Sequence, residues 1–397
     1  VDASDDVVVV ARANEVFLIV SGAIAGAGQV AGAGTITAIV MVNETHAYID
    51  QNAVVDAGAT VLVAASDETE VDSFTGAISG ALYFGAGAGI GVIVLDKDTY
   101  AWIAAGADVT ALGNSPGGLI SYNGELDSSG KFGKNNDIHG LIVEAYSSED
   151  VWTMAIAGGG GAVGLAGAVT VTVLDSDTVA YIDGGADVNL DNTGAGDKQD
   201  IYVSAVNDVD LEGRAGGLSF GAGGLAGAID IGIIRNDTTA YIASPVKAKR
   251  DVHVNAAANR EIDSFTLSIG LGGLSIAGAV NVYSIGGNLE GTYSSEGKSG
   301  DALKGSDNST AGGGADSQTA LVKKSTMLKD HNDPSHNSGS QNTSEIRTRV
   351  AAADATVSTS TTVNSVETSL AKDVEAEART LPRGTSAFIA DNITVDA

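Results

Sequence analysis

Side chains able to do chemistry are few in this 397-residue chain, apart from its carboxylates. It holds 50 Asp and Glu, 5 His and no Cys. Without Cys there is no disulfide scaffold, thiolate metal site or thiol nucleophile. His46, His139, His253, His331 and His336 lack the spacing by which two imidazoles on one helix face hold zinc. His331 and His336 fall in a polar, low-complexity stretch and are expected to be solvated. Gly159–Gly164 (GGGAVG) fits G-x-G-x-x-G, but no acidic partner follows a βαβ unit, and Gly is abundant throughout. Gly130-Lys131 and Gly297-Lys298-Ser299 approach a phosphate loop. Each follows its upstream glycine (Gly124, Gly291) at one residue too many. No nucleotide or other organic cofactor is expected.

The carboxylates are better organised. Asp96 and Asp98 recur as Asp175 and Asp177, with Asn43 and Asn236-Asp237 at the same phase. Stacked on adjacent units, Asp96, Asp98, Asp175 and Asp177 are the candidates for oxygen ligation of Ca²⁺. The simpler reading is that Asp and Asn mark turns, where their side chains bond the local backbone. Sequons at Asn43, Asn236, Asn308, Asn342 and Asn392 follow from the same composition.

A repeat positions these residues. The phrase Thr-x-Ala-aromatic-Ile occurs at Thr45–Ile49, Thr99–Ile103, Thr178–Ile182, Thr238–Ile242 and Thr385–Ile389, at spacings of 54, 79, 60 and 147. Its aromatic is Tyr48, Trp102, Tyr181, Tyr241 or Phe388. A Gly/Ala-rich stretch and a short polar segment precede the first four copies. An alternating strand such as VLVAAS or IYVSAV follows. Val16–Val42 carries no charge and is long enough to cross a bilayer as a helix. Its many glycines, Asp-rich flanks and the strand-like AIDIGII of the fourth unit favour strands over membrane helices.

Recurrent strands with small interior residues predict an all-β fold. The expectation is an elongated parallel β-solenoid of repeats of about 54–60 residues, whose neighbours stack to share a core. At about 20–25 residues per coil, each unit would form two to three coils, and the body would be a rod of roughly 12 coils, ~60 Å long. The five motif aromatics are expected in equivalent, mostly buried positions. The predicted organisation places the solenoid over 1–288, with a loop insertion at about 111–140. A polar insertion over 289–384 carries a helix at 365–380, and a closing strand of the fifth repeat covers 385–397.

Units such as AGAGTITAIVMVNETHAYIDQNAVVDAGATVLVAAS resemble the repeats of large bacterial surface proteins of the filamentous-haemagglutinin-like and leukotoxin-family adhesin type. The resemblance implies a secreted, cell-surface β-helical stalk, with a host or neighbouring-cell surface or a polysaccharide as its target. A net charge of −29 opposes nucleic acid and anionic membrane surfaces as partners. No credible catalytic constellation is present. The expected function is therefore structural or adhesive, in an extracellular bacterial fibre, rather than enzymatic. The alternatives are a β-helix enzyme that binds or degrades polysaccharide and a Gly-rich membrane protein. Val395-Asp396-Ala397 ends at the phase where Val1-Asp2-Ala3 begins. Copies are therefore expected to stack head to tail through open strand edges.

Overall fold

The computed structural model describes residues 1–126, 131–286, 292–295, 298–301, 384–391 and 393–397. The predicted helix at 365–380 and most of the 289–384 insertion lie outside these residues. Two compact units form. One holds Val1–Ile231, Asn236–Asn281 and Pro382–Ala397, and the other Gly232–Arg235 and Val282–Leu381.

Every regular element among the described residues is a strand. In chain order they are β1 (Asp2–Ala3), β2 (Val7–Ala27), β3 (Val30–Ile49), β4 (Val54–Ala57), β5 (Val61–Ala81), β6 (Phe84–Ile103) and β7 (Asp108–Ala111). Then come β8 (Leu119–Leu126), β9 (Phe132–Gly160), β10 (Val163–Ile182), β11 (Asp187–Val188), β12 (Gln199–Ile242), β13 (Val246–Lys247) and β14 (Val252–Ile285). The last four are β15 (Thr292–Ser295), β16 (Lys298–Asp301), β17 (Thr385–Ile389) and β18 (Val395–Asp396).

In the first unit each repeat supplies one short strand, one long outbound strand and one long return strand. The short strands pair in the order β1-β4-β7-β11-β13-β18. The outbound strands β2, β5, β9 and the first half of β12 form one parallel ladder. The return strands β3, β6 and β10 form another, and the second half of β12 pairs β17. Long strands in parallel register make this an all-β, β-helix-like arrangement.

Register corrects the expected coil size. Val7 pairs Val61, Val61 pairs Leu141, and Leu141 pairs Ile201. Partners therefore lie 54, 80 and 60 positions apart, and one turn of the chain consumes a whole repeat. Within the first unit each repeat makes one turn rather than two to three, and each of its 20-residue strands extends ~66 Å. Periodicity revealed the repeat, but it does not fix how far a strand runs before it turns.

The polar segments expected to be turns are also corrected. Asn43, Asp96, Asp98, Asp175 and Asp177 lie inside β3, β6 and β10. The reversals sit elsewhere. Gly28-Gln29 joins β2 to β3, and Asp50–Ala53 joins β3 to β4. The amide of Ala53 donates to Asp50 O, as Ala107 does to Ala104 and Ala186 to Asp183. The third residue of each turn has a positive φ: Asn52 at 58°, Gly106 at 75° and Gly185 at 87°. That position favours Asn or Gly. In the fourth repeat only Ala243–Pro245 separate Ile242 from Val246, which pairs Val188, so this corner is two residues shorter and departs from the pattern. The predicted loop at 111–140 contains β8, which folds back antiparallel on β9.

Two kinds of interior result. Near the short strands three sheets enclose a core of Ile49, Val55, Val61, Ile103, Val109, Leu141, Ile182, Val188 and Ile201 with interleaved alanines. Toward the far end the outbound and return sheets close on each other, backbone against backbone. A Cβ on Gly85 would overlap Gly160 O, and one on Gly87 would overlap Gly158 O. The Gly/Ala stretches are thus the opposed walls of this narrow end, where only hydrogen or a methyl fits. Sheets carrying ordinary side chains would stand ~10 Å apart.

In the second unit, Gly286 N donates to Ile234 O at 2.9 Å, and the Tyr283 ring occupies the space a side chain at 232 would need. β15 and β16 pair antiparallel, Thr292 opposite Asp301.

Candidate functional site

The motif Thr-x-Ala-aromatic-Ile ends each return strand, so alternation sends Ala and Ile inward and the aromatic outward. Ala47, Ile49, Ala101, Ile103, Ala180 and Ile182 accordingly join the core. The aromatics stack on the outer face. Ring centroids are 4.4 Å apart for Tyr48–Trp102, 5.9 Å for Trp102–Tyr181, 4.9 Å for Tyr181–Tyr241 and 5.1 Å for Tyr241–Phe388, at 4–8° between planes. The five positions are equivalent, and what covers them is ring stacked on ring on the outer face rather than the core. Tyr48 is 45% exposed, and Tyr241 alone among the five is buried. The ladder places ring on ring, so its flat faces are already occupied and only edges line the surface. Burial, then Asp183, raises the Tyr181 hydroxyl well above the usual phenol range.

The four Asp named as Ca²⁺ candidates meet in register on that same outer face: Asp96 pairs Asp175, and Asp98 pairs Asp177. Burial, then the charges of Asp96, Glu44 and Asp175, pushes the Asp98 carboxyl up to about 8. Tyr100 Oη donates to it at 3.5 Å. Among the described residues no three acidic or imidazole side chains are grouped to hold a metal ion. His46 stacks on Tyr100, His139 contacts Asp137 at 2.9 Å, and His253 stacks on Tyr202. These three sit on different strands, while His331 and His336 lie outside the described residues.

Among the described residues a concentration of buried polar side chains lies inside, between the outbound and return sheets. Lys97 on β6 points inward with its side chain wholly buried, as are those of Asp67 and Glu149. Its Nζ is 2.7 Å from Asp67 Oδ1 and 3.1 Å from Glu149 Oε1. It also donates to Ser148 O at 3.1 Å and Asp67 O at 3.4 Å. Burial by itself would lower the Lys97 ammonium, but Glu149 and Asp67 outweigh it and hold it above its ordinary value.

Neighbours satisfy both carboxylates. Asp67 Oδ2 accepts from Asn43 Nδ2 at 2.6 Å and Thr45 Oγ1 at 2.9 Å. Glu149 Oε1 accepts from Ser147 at 2.5 Å and Ser176 at 2.9 Å, and its Oε2 from Asn207 at 3.2 Å. Asn236 donates to Asn207 Oδ1 at 2.6 Å, and Arg260 donates to Asn236. At the opposite end Glu15 accepts from Asn43 at 3.0 Å and Thr69 at 3.3 Å. A polar layer thus runs through the first unit from Glu15 to Arg260.

This layer was absent from the expectations, although its signal is present. Asp67 shares strand parity with Val61, Val63 and Val71, and Glu149 with Leu141, Val143 and Val151. Lys97 occupies the place of Asn43 and Ser176.

A half-buried carboxylate anchors the β8–β9 hairpin. Glu144 accepts from Ser121 and from the Tyr122 amide at 3.0 Å. Burial raises its carboxyl. On the return sheet a shallow depression is lined by Gly32, Ala86, Gly87, Leu165, Gly167, Leu225 and neighbouring alanines. It carries no polar side chain with which to hold a sugar. Comparison with family models, curated proteins and solved structures yields no match.

Proposed function

We propose that this chain is a segment of an extracellular bacterial fibre. It is a solenoid of repeats of about 54–60 residues that serves a structural or adhesive role and acts on no external substrate. The observation that carries this reading is the open edge. Among the described residues β2 and β3 end the order of the long strands, leaving two runs of about 20 residues with no strand paired on one side. Such an edge is a template for another chain. The reading makes the next chain a further copy, with β14, β17 and β18 of one set against β1, β2 and β3 of the next.

Opposite charges at the two ends of the internal polar layer support this direction, with Glu15 at the head and Arg260 at the tail. Apolar side chains on the outer faces of the first turn, among them Leu18, Ile36 and Val40, support an adhesive role, since patches of this kind mark contact surfaces. A polysaccharide-acting enzyme is disfavoured by the self-stacked aromatic ladder and the apolar lining of the depression. Electron micrographs of the purified chain at increasing concentration test the proposal. Filaments that lengthen with concentration are expected. A monodisperse monomer at all concentrations would refute head-to-tail assembly.

A further inference from the structure

We propose that Lys97 and Asp67 become joined by an intramolecular isopeptide bond, formed by the protein itself with Glu149 as proton carrier. The inference stands apart from fibre assembly and rests on the interior alone.

Three features of amide formation are built into the site. The nucleophile, Lys97 Nζ, lies 2.7 Å from Asp67 Oδ1 with both side chains removed from water. Reacting groups held in such contact gain the large effective concentration that intramolecular reactions show. The pair starts charged, since against burial Glu149 and Asp67 hold the Lys97 ammonium above its ordinary value, so attack first needs a proton moved off Nζ. The second oxygen of Asp67, Oδ2, is held by Asn43 Nδ2 and Thr45 Oγ1 at 2.6 and 2.9 Å. Two fixed donors there stabilise the charge that an attacked carboxyl develops. Glu149 Oε1, 3.1 Å from Nζ, is the base within reach, and Ser147, Ser176 and Asn207 hold it in place.

The step balances as follows. Glu149 takes a proton from the Lys97 ammonium and passes it to Asp67 Oδ1, and the freed lone pair on Nζ forms a bond to Cγ of the resulting carboxylic acid. Negative charge collects on Oδ2. Glu149 then carries a second proton from Nζ to Oδ1. The Cγ–Oδ1 bond then breaks, Oδ1 leaves as water, and Oδ2 returns to a carbonyl oxygen. The amide keeps one hydrogen, Glu149 ends as the carboxylate it began as, and no oxidant or cofactor is consumed. One buried positive and one buried negative charge disappear together.

Asp67 is the acyl partner rather than Glu149 because Nζ lies nearer to it, 2.7 Å against 3.1 Å. Its far oxygen Oδ2 has two donors, Asn43 and Thr45, where that of Glu149 has Asn207. Among the described residues Oδ1 meets, besides Nζ, only a long 3.4 Å contact from Thr69. In Glu149 the oxygen facing Nζ is the same one that Ser147 and Ser176 occupy.

Mass spectrometry of the intact full-length chain tests this directly. The expected mass is that of the sequence less one water, and peptide mapping after unfolding should recover the segments holding Asp67 and Lys97 as one branched species. Lys97→Arg, which keeps the charge, should show the full sequence mass. Glu149→Gln should fold by circular dichroism yet retain the water, or lose it at least tenfold more slowly. Recovery of wild-type Lys97 in an unlinked peptide, with full mass, would overturn the proposal even if both variants failed to fold. A branch to Glu149 would overturn the choice of acyl group, and undiminished water loss in folded Glu149→Gln would overturn the role given to Glu149.

Discussion

Lys97 is the residue whose loss the first unit should tolerate least. Its ammonium is the one cation bonded to both Asp67 and Glu149 within the described interior. Lys97→Ala would leave two carboxylates facing each other without water. Breaking a buried pair from one side costs about 3–5 kcal/mol, because the remaining charge is uncompensated. Urea denaturation should show at least that loss for Lys97→Ala, which also removes the proposed cross-link. The Lys97→Ala, Asp67→Ala double variant should cost less than the sum of the two single changes, since each removes the charge that the other strands.

Asp98 gives a second prediction at this scale. Its carboxyl, ordinarily near 3.8, is pushed up to about 8 by burial and by Asp96, Glu44 and Asp175. The folded state therefore binds a proton that the unfolded chain releases at lower pH. The associated stability is full below the unfolded value and is lost as pH rises toward about 8. Thermal midpoints measured between pH 4 and 9 should fall with rising pH through this window. Asp98→Asn should flatten that dependence.

Among the elements, the narrow end of the long strands depends on glycine for space rather than for backbone freedom. A methyl on Gly87 would overlap Gly158 O and lie 2.8 Å from Ala77 O, so neither sheet could give way without moving its hydrogen-bonded backbone. Gly87→Ala should destabilise by roughly 1–3 kcal/mol, as overpacking of a tight interior does. Gly167→Ala meets nothing within 4 Å. It should be neutral or stabilising by about 0.4–1 kcal/mol through the unfolded chain. Paired calorimetric scans separate the two, and equal effects would refute the close-approach reading.

These strands also show what the sequence makes legible. Strand type, parallel repetition and the equivalence of Tyr48, Trp102, Tyr181, Tyr241 and Phe388 follow from alternation and phase. The side of the sheet does not, because a motif aromatic between inward Ala and Ile fits a core or an outer ladder equally by composition. Coil length was hidden for a related reason. Asn and Asp at fixed phase read as turns, whereas here Asn43 satisfies Asp67 and Glu15 across the interior, mid-strand. The Lys97–Asp67–Glu149 contact joins residues 30 and 52 positions apart and becomes visible only once register is known.

For the whole molecule, the decisive question is what meets the edges of the first and last turns of the first unit. If copies stack in register, Arg260 of one copy enters the polar layer beside Glu15 of the next. Burial and the nearby Asp67 raise the Glu15 carboxyl, and burial lowers the Arg260 guanidinium. Both groups are therefore charged at some cost where they stand, and each would gain from an opposite charge at the junction. Glu15→Arg should place like charges together and shift assembly to higher concentration by at least tenfold. Arg260→Glu should do the same. The double exchange, Glu15→Arg with Arg260→Glu, restores the pairing with its sense reversed and should recover assembly in large part. A bridge shielded inside the junction is also screened less than an exposed one, so assembly should survive moderate salt. Sedimentation at several concentrations reads all three variants. Assembly unchanged by either single reversal would show that Glu15 and Arg260 do not meet, and recovery confined to the double exchange would fix both the partner and its register.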